Sequence, residues 1–121
     1  MANPFVHIEL NTTDLGKAKA FYGKLFEWEL TDIDMGQLGV YTLIGVGAGP
    51  GGGMMQHPVA GAASQWLAYV DVPDLAAATA RARALGAEVI QADVAVQDKG
   101  SFSLIVDPTG AMIGLWQTKK K

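Results

Sequence analysis

A shift of 60 residues lays one half of this chain on the other. Residues 5–25 then fall on residues 65–85, with Asp14 on Asp74, Leu15 on Leu75, Ala18 on Ala78, Ala20 on Ala80 and Leu25 on Leu85. One further residue of shift brings Tyr41, Leu43 and Ile44 onto Phe102, Leu104 and Ile105, and Gly53 and Gln56 onto Gly114 and Gln117. A repeat of this length means one supersecondary unit used twice. In 121 residues two such units fill a single domain, 1–121, with module 1 at about 5–57 and module 2 at about 65–117,.

Each module carries the same order of local signals. Residues 5–11 alternate, with Val6, Ile8 and Leu10 on one face and Phe5, His7 and Glu9 on the other, the pattern of a strand covered on one side,. Thr13 or Asp14 then caps a helix whose apolar positions Leu15, Ala18, Phe21, Tyr22 and Leu25 follow helical spacing,. In the second module residues 66–72 read as the strand, Asp74 as the cap and the Ala-rich run 75–85 as the helix, with Gly86 placed to end it in a left-handed turn,. Three short apolar runs follow each helix, at 28–31, 40–46 and 53–56, and at 88–91, 101–106 and 112–117,. The expected fold class is therefore α+β, with two βαβββ modules in tandem.

Composition removes whole classes of chemistry. The chain has no cysteine, which excludes a disulfide framework, a thiolate nucleophile, an iron–sulfur cluster and a cysteine zinc site,. Charged residues are 17% and the net charge is −3, so neither disorder nor a grip on nucleic acid or an anionic membrane is expected,. Half of the residues are hydrophobic, enough to bury about two-thirds of the unfolded surface at this size,. The start lacks a basic segment followed by an apolar run, and no uninterrupted apolar stretch reaches membrane-spanning length; a soluble, cytoplasmic chain is expected,. The terminal run Lys119, Lys120 and Lys121 reads as a solubilising tail,.

Two segments, Thr-Asp-Leu-Gly-Lys-Ala-Lys-Ala-Phe-Tyr at 13–22 and Val-Asp-Pro-Thr-Gly-Ala-Met-Ile-Gly-Leu-Trp-Gln at 106–117, stand out in the duplicated frame. With them and the histidine of the first strand, the chain resembles the vicinal oxygen chelate superfamily, which includes glyoxalase I, extradiol dioxygenases, fosfomycin-modifying enzymes and bleomycin resistance proteins. It is most similar to the glyoxalase-like branch of unassigned function. The resemblance implies two curved four-stranded sheets forming a cup. In metal-dependent members a divalent ion is held from the first and last strands of each module, positions that correspond here to His7, Gly53, Leu67 and Gly114. Only His7 has a ligating atom, and a metal site needs about three such ligands, so no metal and no other cofactor is expected. His57 follows the fourth strand of module 1, and a His7/His57 pair would still need an acidic partner.

The inward face of the expected cup carries His7 and Glu9, then Leu67, Tyr69 and Asp71 by the repeat, with Met55, Met112 and Trp116 from the closing strands. Gly53 and Gly114 remove side-chain volume at its floor and are expected to leave room for a ligand. Glu9 lies about 7 Å along the strand from His7 on the same face. The two form either a structural pair or an acid–base couple beside a carbonyl. The glycine-rich stretch 45–53 lacks the Lys-Ser or Lys-Thr and the following helix of a phosphate loop, and is expected to be a turn able to cover the cup,.

The leading expectation is a metal-independent protein that binds a small organic molecule in the cup. The alternatives are a glyoxalase-like lyase or isomerase with His7 and Glu9 as candidate catalytic residues, and a resistance protein that sequesters a drug. A homodimer is expected because small modules of this kind leave open sheet edges.

Overall fold

Both helices begin in the same way. Asp14 accepts the Lys17 N–H at 3.0 Å and Asp74 accepts the Ala77 N–H at 3.1 Å, while the glutamine of each module's last strand takes a second helical N–H. Gln56 Oε1 accepts from Leu15 at 3.2 Å, and Gln117 Oε1 accepts from Leu75 at 2.7 Å. Two of the four N-terminal donors that a helix leaves open are thus answered in each module by residues related through the repeat.

The computed structural model describes residues 2–119. The order is β1 (Phe5–Thr12), α1 (Leu15–Leu25), β2 (Glu29–Asp34), a single 3₁₀ turn at Gly36–Leu38, β3 (Val40–Gly45), β4 (Gly52–Gln56), β5 (Gln65–Asp71), α2 (Leu75–Ala84), β6 (Glu88–Val96), β7 (Gly100–Val106) and β8 (Met112–Thr118). This is the expected α+β class with two βαβββ modules. Backbone contacts divide the chain into two units, residues 7–67 and the residues up to Val6 together with those from Ala68 onward. Asp71 N–H joins the second unit's ends by donating to Pro4 O at 2.9 Å.

In the first unit the strand order is β2-β3-β4-β1, antiparallel except for the parallel pair of β1 with β4, where Glu9 lies opposite Gly53 and Leu10 opposite Met54. Alternation sends Leu10, Ile44 and Met54 to the helix side, where they form the core with Leu15, Ala18, Tyr22, Trp28, Leu30 and Val46 packed on it,. Phe21 and Leu25, expected on that face of α1, lie 58% and 56% exposed. The short helix turns only Leu15, Ala18 and Tyr22 onto the sheet, and the Tyr22 ring sits among Phe21, Phe26, Trp28 and Trp66 at centroid distances of 5.0–6.3 Å.

The second unit repeats this in the order β6-β7-β8-β5, with the parallel pair now β5 with β8. The helix-to-sheet joint differs in chemistry. Thr79 Oγ1 and Ser103 Oγ, both buried, meet at 2.8 Å, and Ser103 also accepts the Asp93 N–H at 3.1 Å. In the first unit the joint is ionic and more exposed: Asp32 takes Lys19 Nζ and the Thr42 hydroxyl, each at 2.7 Å. These two bonds, Lys19's first, hold the Asp32 carboxyl below its usual range,.

Several strands extend past their expected ends. β2 starts at Glu29 and continues to Asp34, and β6 continues to Val96, because polar residues on the exposed side of these outer strands read as loop. β6 is irregular between Val89 and Val94, with Asp93 at φ 52°,. Gly86 ends α2 as expected, at φ 103°, with Ala87 N–H reaching Ala82 O and its own N–H reaching Arg83 O,. The Asp-Pro-Thr-Gly motif is a turn joining β7 to β8, in which Asp107 Oδ1 accepts from Thr109 N, Thr109 Oγ1 and Ala111 N at 2.7–3.1 Å,. Lys120 and Lys121 of the basic run lie outside the described residues. Among the described residues no helix is long and apolar enough to cross a membrane.

Candidate functional site

On the face of the first unit's sheet opposite α1, the odd-numbered residues of β1 meet β4 and β3. His7, Glu9 and Asn11 stand along β1, Gly53 lies opposite Glu9, and Leu43 lies opposite Gly53. Tyr41, two residues before Leu43 and therefore on the same face, reaches across Gly53 to β1,. Its hydroxyl donates to Glu9 Oε2 at 2.8 Å and lies 2.6 Å from His7 Nε2. Asn11 Nδ2 donates to the other Glu9 oxygen at 3.4 Å. The result is one hydrogen-bonded chain, His7–Tyr41–Glu9–Asn11, with Glu9 and Asn11 buried and His7 and Tyr41 half-buried.

The pairing expected between His7 and Glu9 thus runs through a residue that the strand pattern of β1 could not supply. A buried carboxylate needs donors, and Tyr41 and Asn11 provide one to each oxygen. Burial holds the His7 imidazole below its ordinary titration range, favouring the neutral ring,. Beside His7 opens a groove of about 380 Å³, lined also by Glu29, Thr31, Leu43, Gly45 and Gly51. Small-molecule sites span about 300–1,000 Å³.

Gly53 and Gly114 correct the expectation of open floor space. A Cβ at Gly53 would fall on the Tyr41 ring and hydroxyl, and one at Gly114 would fall on the Tyr69 ring. Both glycines are needed because an aromatic ring already fills the volume above them. Gly114 lies opposite Tyr69, and Trp116 opposite Asp71, in the β5–β8 pair. Tyr69 is buried and meets Phe102 edge-on at 6.1 Å, and the half-buried Trp116 lies opposite Phe102 in β7–β8. The corresponding face of the second unit is therefore largely aromatic.

Of the other site candidates, Leu67 is buried, Met55 is half-buried, and Met112 is 38% exposed. His7, Glu9, Gly53, Met55 and Leu67 belong to the first unit, while Tyr69, Met112, Gly114 and Trp116 belong to the second. His57 shapes the turn after β4, its Nδ1 accepting the Val59 N–H at 3.1 Å. The glycine-rich stretch contains the β3–β4 turn, with Gly47 and Gly49 at positive φ, and continues into β4 from Gly52. Tyr41 is the member of this hydrogen-bonded chain that strand periodicity missed. The repeat carried the signal for it, since Tyr41 falls on Phe102 at a position where the modules differ only by a hydroxyl.

The family resemblance implies a divalent metal, and the residues present do not fit one. Gly53 and Gly114 have no side chain, Leu67 has no lone pair, and His7 Nε2 is engaged with Tyr41,. Among the described residues no group of three or more His, Cys, Asp or Glu is placed to hold an ion.

Comparison with known proteins agrees with this architecture. The chain is 35% identical over 117 residues to "Putative glyoxylase CFP32" of Mycobacterium bovis and, equally, of Mycobacterium tuberculosis. The match takes in 93% of this chain and 45% of each of those proteins, so the chain spans less than half the length of these relatives. Among solved structures, hypothetical protein BH1468 of Bacillus halodurans superposes with a TM-score of 0.76 at 13% identity, over 100% of this chain and 98% of that one. Methylmalonyl-CoA epimerase of Mycobacterium tuberculosis gives 0.70 at 20% identity, over 96% and 88%. A variant of the Streptomyces coelicolor methylmalonyl-CoA epimerase, in complex with 2-nitronate-propionyl-CoA, gives 0.73 at 14% identity, over 99% and 100%. At these identities the structures share the fold alone. Residues 5–115 match the Glyoxalase/Bleomycin resistance protein/Dioxygenase superfamily as a whole, and the chain belongs to that family.

Proposed function

We propose that this chain is a metal-independent member of its family that binds a small, partly apolar organic molecule, with the His7–Tyr41–Glu9 chain as the polar end of the site. The observation that carries this reading is the hydrogen-bonded chain itself, beside a groove of ligand-sized volume. A buried carboxylate on a sheet face is costly, and a fold that needed only stability would be served by apolar residues such as those at the equivalent positions of the second module. The groove has Glu29 on its wall and no Lys or Arg among its lining residues, which favours a neutral or cationic molecule,. An acyl-CoA of the kind bound by the Streptomyces coelicolor epimerase is a polyanion and fits this lining poorly.

Calorimetry and thermal shift with small neutral and cationic amphiphiles test the reading. Binding in the presence of a chelator, weakened about tenfold or more by Tyr41→Phe, is the expected result. A requirement for zinc or nickel, or one tightly held equivalent of metal, would overturn it. A specific observation also favours the lyase or isomerase reading: imidazole, phenol and carboxylate are linked so that a proton can be passed along them,. Turnover of an α-keto hemithioacetal, lost in Glu9→Gln, would promote it. The homodimer is likewise a proposal, supported by the outer strands β2 and β6 of the two units, and sedimentation at micromolar concentration decides it,.

A further inference from the structure

One row of residues across the first unit's sheet accounts for the floor of the groove beside His7. In the β2–β3 pair Glu29 stands opposite Gly45, and continuing the β3–β4 and β1–β4 registers by one residue sets Gly45 beside Gly51 and Gly51 beside His7. Glu29 and His7 are thus the two ends of a cross-strand row whose middle positions carry no side chain. Three strand spacings, about 14 Å, separate their backbones. The second module fills the same row, since Glu88 stands opposite Val106 and Val106 opposite Met112. By the repeat, Gly45 falls on Val106 and Gly51 on Met112.

The two glycines have different causes. A Cβ at Gly51 would lie 2.9 Å from Ile44 O, so a close backbone approach demands glycine there,. Among the described residues a Cβ at Gly45 would meet Glu29 alone, at 3.5 Å from its Cβ and 3.6 Å from its O, which are ordinary contacts, and Gly45 is not at positive φ. Neither packing nor backbone conformation requires glycine at 45.

We infer that Gly45 sets the volume of the groove and Glu29 its charge preference, so that the row takes an elongated organic cation, its ammonium at the Glu29 end and its apolar body over the glycines against Leu43. The nearness of Glu29 Cβ to where a Gly45 Cβ would stand puts the glutamate side chain on the groove face, and Thr31, two residues along β2, adds a hydroxyl acceptor to the lining,. A carboxylate at one end of a trough lined by no Lys or Arg attracts a cation and repels an anion,. The assignment rests on the binding-site reading and narrows its ligand class.

Amide correlation spectra of the whole chain, titrated with phenylbutylamine and with its uncharged counterpart phenylbutanol in the presence of chelator, test it. The amine is expected to bind about fivefold more tightly than the alcohol, the factor that a well-placed exposed ion pair supplies, and Glu29→Gln should remove that preference without changing the affinity for the alcohol. Gly45→Val, which copies the second module, should weaken both compounds about tenfold while the spectrum stays folded. Gly45→Ala, whose methyl group has room, serves with the same readout if the valine variant does not fold. Equal affinities for the two compounds in the wild type, or a preference that survives Glu29→Gln, would overturn the role of Glu29, and undiminished binding in Gly45→Val would overturn that of Gly45. In each of these cases the binding-site reading stands, whereas no saturable shift with either compound would remove that reading and the assignment together.

Discussion

The two modules share a scaffold and differ in what they place on it. Both start their helix with an Asp cap and a Gln from the last strand, and both set a tyrosine ring over a glycine of that strand. In the first module the ring is Tyr41, a donor to Glu9 with His7 on its other side. In the second the ring is Tyr69, packed against Phe102. By the repeat, His7 becomes Leu67, Glu9 becomes Tyr69 and Tyr41 becomes Phe102. Three polar residues acting together are replaced by three apolar or aromatic ones. The shared parts belong to the fold, and the part that differs is the polar chain to which the proposed binding site is assigned.

The largest expected effect comes from what the modules share. If both glycines exist to hold a ring, Gly53→Leu and Gly114→Leu should each destabilise the protein by about 3 kcal/mol in urea denaturation, the upper range for overpacking. A wild-type midpoint for either would mean that the ring swings away and that the space is open after all. The next effect separates the modules. Tyr41→Phe removes a donor from the buried Glu9 and should cost about 2 kcal/mol, the penalty for a buried polar group left short of partners,. Phe102→Leu at the equivalent position loses mainly an edge-on ring contact, about 1 kcal/mol by the same measurement,. Equal losses would dissolve the distinction.

A smaller, pH-dependent effect belongs to the first module alone. His7 has its folded-state titration lowered from 6.5 by burial, so as pH falls below that value the unfolded chain takes up a proton that the folded chain resists,. Stability is full above the unfolded value and declines from there down to the folded one. Replacing His7 by leucine, the residue its counterpart carries, should flatten this part of the stability–pH curve. An unchanged slope in that variant would place its origin elsewhere.

What could be read in advance follows from how local each cause is. Asp14, Asp74 and Gly86 act within a turn of their own helices, and their roles are visible in a few consecutive residues. The strands of each module were legible from alternation, while β6 ran five residues longer than its apolar stretch because its polar residues sit on an outer strand. Tyr41 acts across two strands, from β3 over β4 to β1, and periodicity gives a residue's face but not its reach. The open space expected at Gly53 and Gly114 is filled by aromatic rings, since an absent side chain says that something approaches closely and not what it is. The position-by-position difference between the modules holds more site information than either module does alone.

If the polar chain of the first module and the groove beside it are where a small molecule binds, the nuclei lining that groove must respond to it. Proton–nitrogen correlation spectra recorded while small neutral and cationic compounds are titrated into the protein, with chelator present, test this most directly. Saturable shifts clustered at His7, Thr31, Leu43, Gly45 and Gly51, which line the groove, are the predicted result. Shifts confined to the aromatic face around Tyr69, Phe102 and Trp116, or no saturable shift with any compound, would contradict it.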